Sequence, residues 1–128
     1  MINSTESDGV PTGLSTGPAA MLRIVHRALV DGMPTGDRQE LRIITATLNP
    51  GDRTPRHTHR FPVAVYVMQG TFTLELEGRD PIIANAGAAI IEPPHIKMTG
   101  VNPSATEATQ LAMVYVSDPD TSFADLAP

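Results

Sequence analysis

The most informative residues of this chain are Gly51-Asp52-Arg53-Thr54-Pro55-Arg56-His57-Thr58-His59, because they place two histidines one residue apart. Side chains alternate across an extended strand, so His57 and His59 project from one face with their Cα atoms about 6–7 Å apart. Both imidazoles can then reach one ion. A catalytic zinc site usually has three protein ligands and an open position, so this pair predicts part of a metal site.

Length and composition limit the class of protein. The 128 residues are enough for one domain with a buried core, and the absence of cysteine excludes disulfides. Nine Lys and Arg against 14 Asp and Glu give a net charge of -5, which disfavours nucleic acid as a partner. The apolar runs are far shorter than a membrane span, and the N-terminus lacks a secretory signal pattern. We therefore expect a cytoplasmic protein that binds neither nucleic acid nor membrane.

Three arginines, Arg53, Arg56 and Arg60, surround the histidine pair. They could form a solvated rim or a mouth that attracts anionic ligands. We favour the solvated rim, because charged side chains usually remain in water.

Short β-rich segments follow one another from Met21 onward, separated by Gly, Pro, Asn and Asp at intervals of roughly ten residues. In residues 71–77, Phe72, Leu74 and Leu76 alternate with polar residues, which is typical of a strand with one buried face. No window has the helical spacing that would cover a parallel sheet, so we predict an all-β antiparallel fold. The predicted strands are residues 22–30, 40–48, 63–68, 71–77, 88–91 and 110–116.

The chain divides into three parts. Residues 1–20 lack hydrophobic periodicity and are rich in Gly, Pro, Ser and Thr, which predicts a flexible N-terminal arm. Residues 21–118 are the β-domain. Residues 119–128 could contain a single helical turn, but we favour a C-terminal tail held by one aromatic side chain, Phe123.

Two spacings in the β-domain belong together. In the first, Gly51 is separated by five residues from His57-Thr58-His59. In the second, Gly87 is separated by five residues from Pro93, and eight more residues lead to Asn102.

This pair of spacings resembles the two conserved motifs of the cupin superfamily, over about residues 41–116. The resemblance implies a small antiparallel jelly-roll β-barrel in which both motifs line one mouth. It also implies metal ligands from both motifs, and here the chain departs from the pattern. Val63 stands where the first motif has a glutamate, and His95 and Met98 stand where the second has a glycine and a histidine. Only His57 and His59 remain of the usual ligands.

Three completions of the site are open. His95 could be a third histidine ligand that leaves positions free for substrate or water. The Met98 thioether could join the pair in a soft site that favours copper. Alternatively the ion is lost, and Val63 and Met98 create an apolar ligand pocket. Glu92 is the nearest carboxylate in sequence, but its position before a proline leaves its side-chain direction undecided.

We favour a metal site formed by His57, His59 and His95, which would hold a divalent Fe, Mn, Ni, Zn or Cu ion. The expected ligand pocket includes Tyr66, Gln69, Met98 and Gln110.

The resemblance implies a small organic metabolite in the barrel mouth, with oxygenase, isomerase or lyase activity as candidate chemistry. The alternative is a metal-free, non-catalytic binding module, and the residues do not decide whether the chain is an enzyme. Small cupins commonly pair through sheet edges, so we expect a homodimer.

Overall fold

The computed structural model describes residues 20–128, which form nine strands and no helix. All strand pairings are antiparallel. The predicted all-β antiparallel fold class is therefore confirmed. None of these residues forms a helix that could cross a membrane. In chain order the strands are β1 (Glu40–Leu48), β2 (His57–Thr58), β3 (Val63–Gln69), β4 (Thr71–Leu76), β5 (Ile82–Asn85), β6 (Ala89–Glu92), β7 (Met98–Val101), β8 (Thr109–Ser117) and β9 (Asp125–Leu126).

The strands form two sheets, one in the order β1-β8-β3-β6 and the other in the order β5-β4-β7-β2-β9. The chain crosses repeatedly between the sheets, which is the jelly-roll arrangement that the two motifs implied. Inward side chains of both sheets meet in one apolar core. The first sheet contributes Val63, Val65, Val67, Leu111, Met113 and Tyr115, and the second contributes Phe72, Leu74, Leu76, Ala84 and Met98.

The turn between β3 and β4 depends on a glycine. Gly70 has a φ of 78°, a conformation that side chains with a Cβ rarely adopt. A Cβ at Gly70 would also lie 2.6 Å from the carbonyl oxygen of Ala108. Beyond this turn, β4 buries Phe72, Leu74 and Leu76, so the predicted alternation is confirmed.

Two local predictions differ from the structure. Residues 22–30 form no strand and their side chains are exposed, because β-rich composition does not make a strand without a neighbouring strand to pair with. The alternative of a helical turn near Phe123 is excluded, since β9 lies there. The short strands β5, β7 and β9 were not among the predicted strands, whereas the extended segment expected at the histidine pair is present as β2. The predicted arm, residues 1–20, lies outside the described residues apart from Ala20.

Candidate metal centre

The two motif histidines are held in the same way. The Nδ1 of His57 lies 2.7 Å from the carbonyl oxygen of Pro55, and the Nδ1 of His59 lies 2.6 Å from that of Phe123. A carbonyl oxygen can only accept, so both Nδ1 atoms donate a proton. In the neutral rings the Nε2 atoms then carry the free lone pairs. A backbone partner on the second nitrogen is the usual support of a metal-binding histidine.

Glu92 is the third polar group of the site. It ends β6, is 4% exposed, and places its Oε1 3.1 Å from the Nε2 of His59. In the sheet, Glu92 is the direct cross-strand partner of Val63. Directly opposed side chains lie on the same face of a sheet. Glu92 on β6 therefore places a carboxylate next to Val63, which occupies the glutamate position of the first motif on β3.

A buried atom without a partner tests whether these residues fit a metal ion. His59 is 1% exposed, and its Nε2 makes no hydrogen bond, although Glu92 is within 3.1 Å. The ligand atoms of His57, His59 and Glu92 all lie within 4.8 Å of one another. Two metal–ligand bonds of about 2.0–2.2 Å span at most about 4.4 Å, so the side chains would move together by a few tenths of an ångström to share one ion. Two imidazoles and one carboxylate are also an established ligand set for zinc and for non-haem iron.

His95 lies apart from this cluster. Its backbone has a φ of 64° and its side chain is exposed, while its N–H donates to the carbonyl oxygen of His59 at 2.8 Å. The left-handed turn explains why the family pattern has glycine at this position. His95 therefore supports the His59 backbone, whereas Glu92 stands beside the two motif histidines.

Three of the expected pocket residues, Tyr66, Gln69 and Gln110, are exposed on the first sheet, whereas Met98 lies in the core opposite His57. β3 directs Val63, Val65 and Val67 inward and thereby directs Tyr66 outward, and Gln110 is exposed by the same alternation in β8. Gln69 ends β3 beyond a shift in register after Val67, and it is exposed although alternation alone would turn it inward. Met98 is 1% exposed in the core and pairs in register with His57.

A cavity of about 370 Å³ opens beside the histidines and Glu92. Its walls are mainly apolar and come from both sheets and from the C-terminal residues. Thr54 adds a hydroxyl, and its oxygen accepts the N–H of Gly100 at 2.9 Å. The main apolar wall residues are Ile44, Leu48, Phe72, Leu111, Met113 and Phe123.

The three arginines near the histidine pair are engaged in ion pairs. Arg53 pairs with Glu75 at 2.6 Å, Arg60 pairs with Asp125 at 3.1 Å, and Arg56 pairs with Glu77. All three arginines are exposed, which agrees with the solvated rim and not with an anion-attracting mouth.

The C-terminal strap, which we define as residues 121–127, closes one side of the cavity. Its strand β9 pairs with β2, and the N–H of Ala127 donates to the carbonyl oxygen of Arg56. Phe123, Ala124 and Leu126 line the cavity, and Phe123 also supplies the carbonyl that holds His59. The predicted C-terminal tail is thus a wall of the site.

Glu92 is the site residue whose role the sequence could not establish. Its proximity to the second motif was a signal, but the direction of its side chain depends on the pairing of β6 with β3. The contribution of the strap had no local signal, because the carbonyl of Phe123 is a backbone group that any residue could supply.

Comparisons with known proteins identify the family and agree with the fold. Residues 44–115 match the family model described as "Cupin domain". No curated protein matches the chain.

Several solved structures share the fold. An RmlC-like cupin family protein with a double-stranded β-helix fold from Methanocaldococcus jannaschii is 21% identical, with a TM-score of 0.57, over 78% of this chain and 95% of that one. An RmlC-like cupin from Shewanella frigidimarina is 23% identical, with a TM-score of 0.54, over 63% and 69%. The DMSP lyase DddQ from Ruegeria pomeroyi is 14% identical, with a TM-score of 0.59, over 79% and 59%. At these identities the likeness shows the fold alone.

Proposed function

Because this chain belongs to the cupin domain family, we propose that it holds a divalent transition metal at His57, His59 and Glu92 and binds a small organic molecule in the adjoining cavity. The single observation that carries the proposal is the buried Nε2 of His59. It faces a buried carboxylate and makes no hydrogen bond with it. Leaving a buried polar atom unsatisfied costs about 1–3 kcal/mol, and a cation between the two groups would remove that cost.

Two backbone carbonyls and one buried carboxylate arrange the site for a metal ion. The carbonyl oxygens of Pro55 and Phe123 fix both imidazoles with Nε2 facing the site. Burial of Glu92 in a mainly apolar cavity strengthens its attraction for a cation, because the local dielectric is low. The apolar walls also limit the entry of competing water.

A bound divalent metal would supply Lewis acidity toward an oxygen atom of the ligand. His57 is only partly buried and lines the same cavity, so a ligand would meet this imidazole beside the metal. Such an arrangement suits isomerase, lyase or oxygenase chemistry. The DMSP lyase DddQ shares the fold at 14% identity, which does not extend its substrate to this chain.

The proposal is tested by metal uptake. The protein is stripped with a chelator, dialysed against Fe²⁺, Mn²⁺, Ni²⁺, Cu²⁺ or Zn²⁺, and subjected to element analysis. We expect the wild type to retain about one equivalent of at least one metal, and we expect His59→Ala and Glu92→Gln to retain little. His95→Gly is the matched control, because it removes an exposed histidine and places glycine at a positive φ.

Circular dichroism establishes that each variant is folded. A wild type that takes up none of the five metals would contradict the proposal and favour the metal-free binding module. Loss of metal in His95→Gly, with full uptake by Glu92→Gln, would instead favour the set of three histidines.

A further inference from the structure

The charge distribution of the cavity differs from that of the protein surface around it. No lysine or arginine is present among the described residues that line the cavity. Glu92 is the carboxylate in this lining, and it lies at the same end as His57 and His59. The charged groups are therefore confined to one end.

The rest of the wall offers little to a polar ligand. Ile44, Leu111 and Met113 come from the first sheet, and Phe72 comes from the second. The hydroxyl oxygen of Thr54 is already an acceptor for a backbone N–H. A charged group placed against these walls would lose its hydration without gaining a counter-ion, which costs far more than the burial of apolar atoms.

We propose that this cavity takes a small, mostly apolar molecule with a single carboxylate, and that it rejects ligands that carry a second charge. The inference rests on the proposed metal site. Two neutral imidazoles, one carboxylate and a divalent ion leave one positive charge at the polar end, which matches one carboxylate. A volume of about 370 Å³ would hold roughly a dozen waters, so a one-ring acid is of suitable size.

Without the metal, the carboxylate of Glu92 repels an anionic ligand. Metal binding and binding of the carboxylic acid are therefore coupled. The acid must increase metal affinity by the same factor by which the metal increases acid affinity.

Four molecules of similar shape test the ligand class. 3-Phenylpropanoate has one carboxylate, L-phenylalanine adds an ammonium, phenylsuccinate adds a second carboxylate, and 3-phenylpropanamide is neutral. Isothermal titration calorimetry is carried out with the Zn²⁺-loaded and the metal-free wild type. We expect 3-phenylpropanoate to bind the loaded protein about tenfold or more tightly than each of the others, and to bind the metal-free protein weakly or not at all.

A variant of the wall provides an independent measurement. Ile44→Lys places a cation inside the cavity without changing His57, His59 or Glu92, and we expect it to bind phenylsuccinate about tenfold more tightly than the wild type does. Thr45→Lys is the matched control, because Thr45 is exposed on the opposite face of the same strand. It should leave all four affinities unchanged. If Ile44→Lys does not fold, the four wild-type titrations still decide the question.

The experiments distinguish failure of the metal site from failure of the ligand class. A wild type that takes up no Zn²⁺ or other metal overturns the proposed metal site and the ligand class with it. A Zn²⁺-loaded protein that binds L-phenylalanine or phenylsuccinate as tightly as 3-phenylpropanoate overturns the ligand class alone.

Discussion

Glu92 and Val63 are the pair of residues that separates this site from the family pattern. They face each other across β3 and β6, and both are buried. The motif carboxylate is absent from β3, yet a carboxylate reaches the same region from the adjacent strand. A carboxylate therefore lies beside the two histidines although the sequence motif has lost its own.

Exchange of these two residues should preserve metal binding. We expect Glu92→Val to weaken Zn²⁺ affinity by about 100-fold or more, since loss of an outer partner alone typically costs about 10- to 100-fold. Adding Val63→Glu to that variant should restore most of the affinity, because directly opposed Cβ atoms lie only about 4.5–5.5 Å apart. Competition with a chromophoric chelator measures both effects.

The matched control for this exchange is Val63→Gln in the Glu92→Val background, which has similar volume and no charge. It should not restore the affinity. A folded double variant with Val63→Glu that binds Zn²⁺ no better than Glu92→Val would show that the two positions do not serve the same ion.

At the scale of elements, the C-terminal strap links the cavity wall to the histidine strand. Its contacts converge on neighbouring residues of the first motif: Arg56 through a backbone hydrogen bond, β2 through strand pairing, and Arg60 through the ion pair with Asp125. The ring of Phe123 packs against His59 and Tyr115, with ring centroids 4.8 and 5.2 Å away. The strap therefore both orients His59 and excludes water from it.

Removal of the strap should weaken the metal site. Deletion of residues 121–128 removes the acceptor of the His59 Nδ1 proton, so we expect Zn²⁺ affinity to fall about 10- to 100-fold, together with a lower melting temperature. Deletion of Pro128 alone keeps β9 and should change neither quantity. An unchanged Zn²⁺ affinity in a folded protein without the strap would contradict the orienting role of Phe123.

At the scale of the whole molecule, β1 is an edge strand with two apolar residues at one end of its exposed face. Leu41 and Ile43 are 64% and 74% exposed, next to a nine-residue edge that pairs only with β8 among the described strands. Long apolar edges of this kind are prone to pair with another chain. This surface supports the expected homodimer, which remains a prediction.

Charges on this surface should abolish the dimer. We expect the wild type to sediment as a dimer and Leu41→Glu with Ile43→Glu to sediment as a monomer, because two buried like charges per copy would oppose pairing. Thr45→Glu with Thr47→Glu is the control on the same exposed face of β1 and should have a smaller effect. A wild type that sediments as a monomer at micromolar concentration would contradict the prediction.

The amino-acid sequence alone determined the features that depend on neighbours along the chain. Alternation in β4 and the β-rich segment at β1 predicted strands that the structure contains, and the spacing around His57 and His59 led to the correct family. Short segments such as β5 and β9 were beyond this reasoning, because their conformation depends on the strands that pair with them.

Only the tertiary structure decided which polar side chain stands beside the two motif histidines. The carboxylate of Glu92 approaches His59 because β6 pairs with β3 in one particular register, and a shift of one residue would turn its side chain to the other face. His95 is exposed on a left-handed backbone that its residue type did not indicate, and the carbonyl of Phe123 reaches His59 from the far end of the chain. Local sequence sets which face a side chain occupies within its own strand, whereas contact between strands that are distant in sequence is set by the packing of the whole domain.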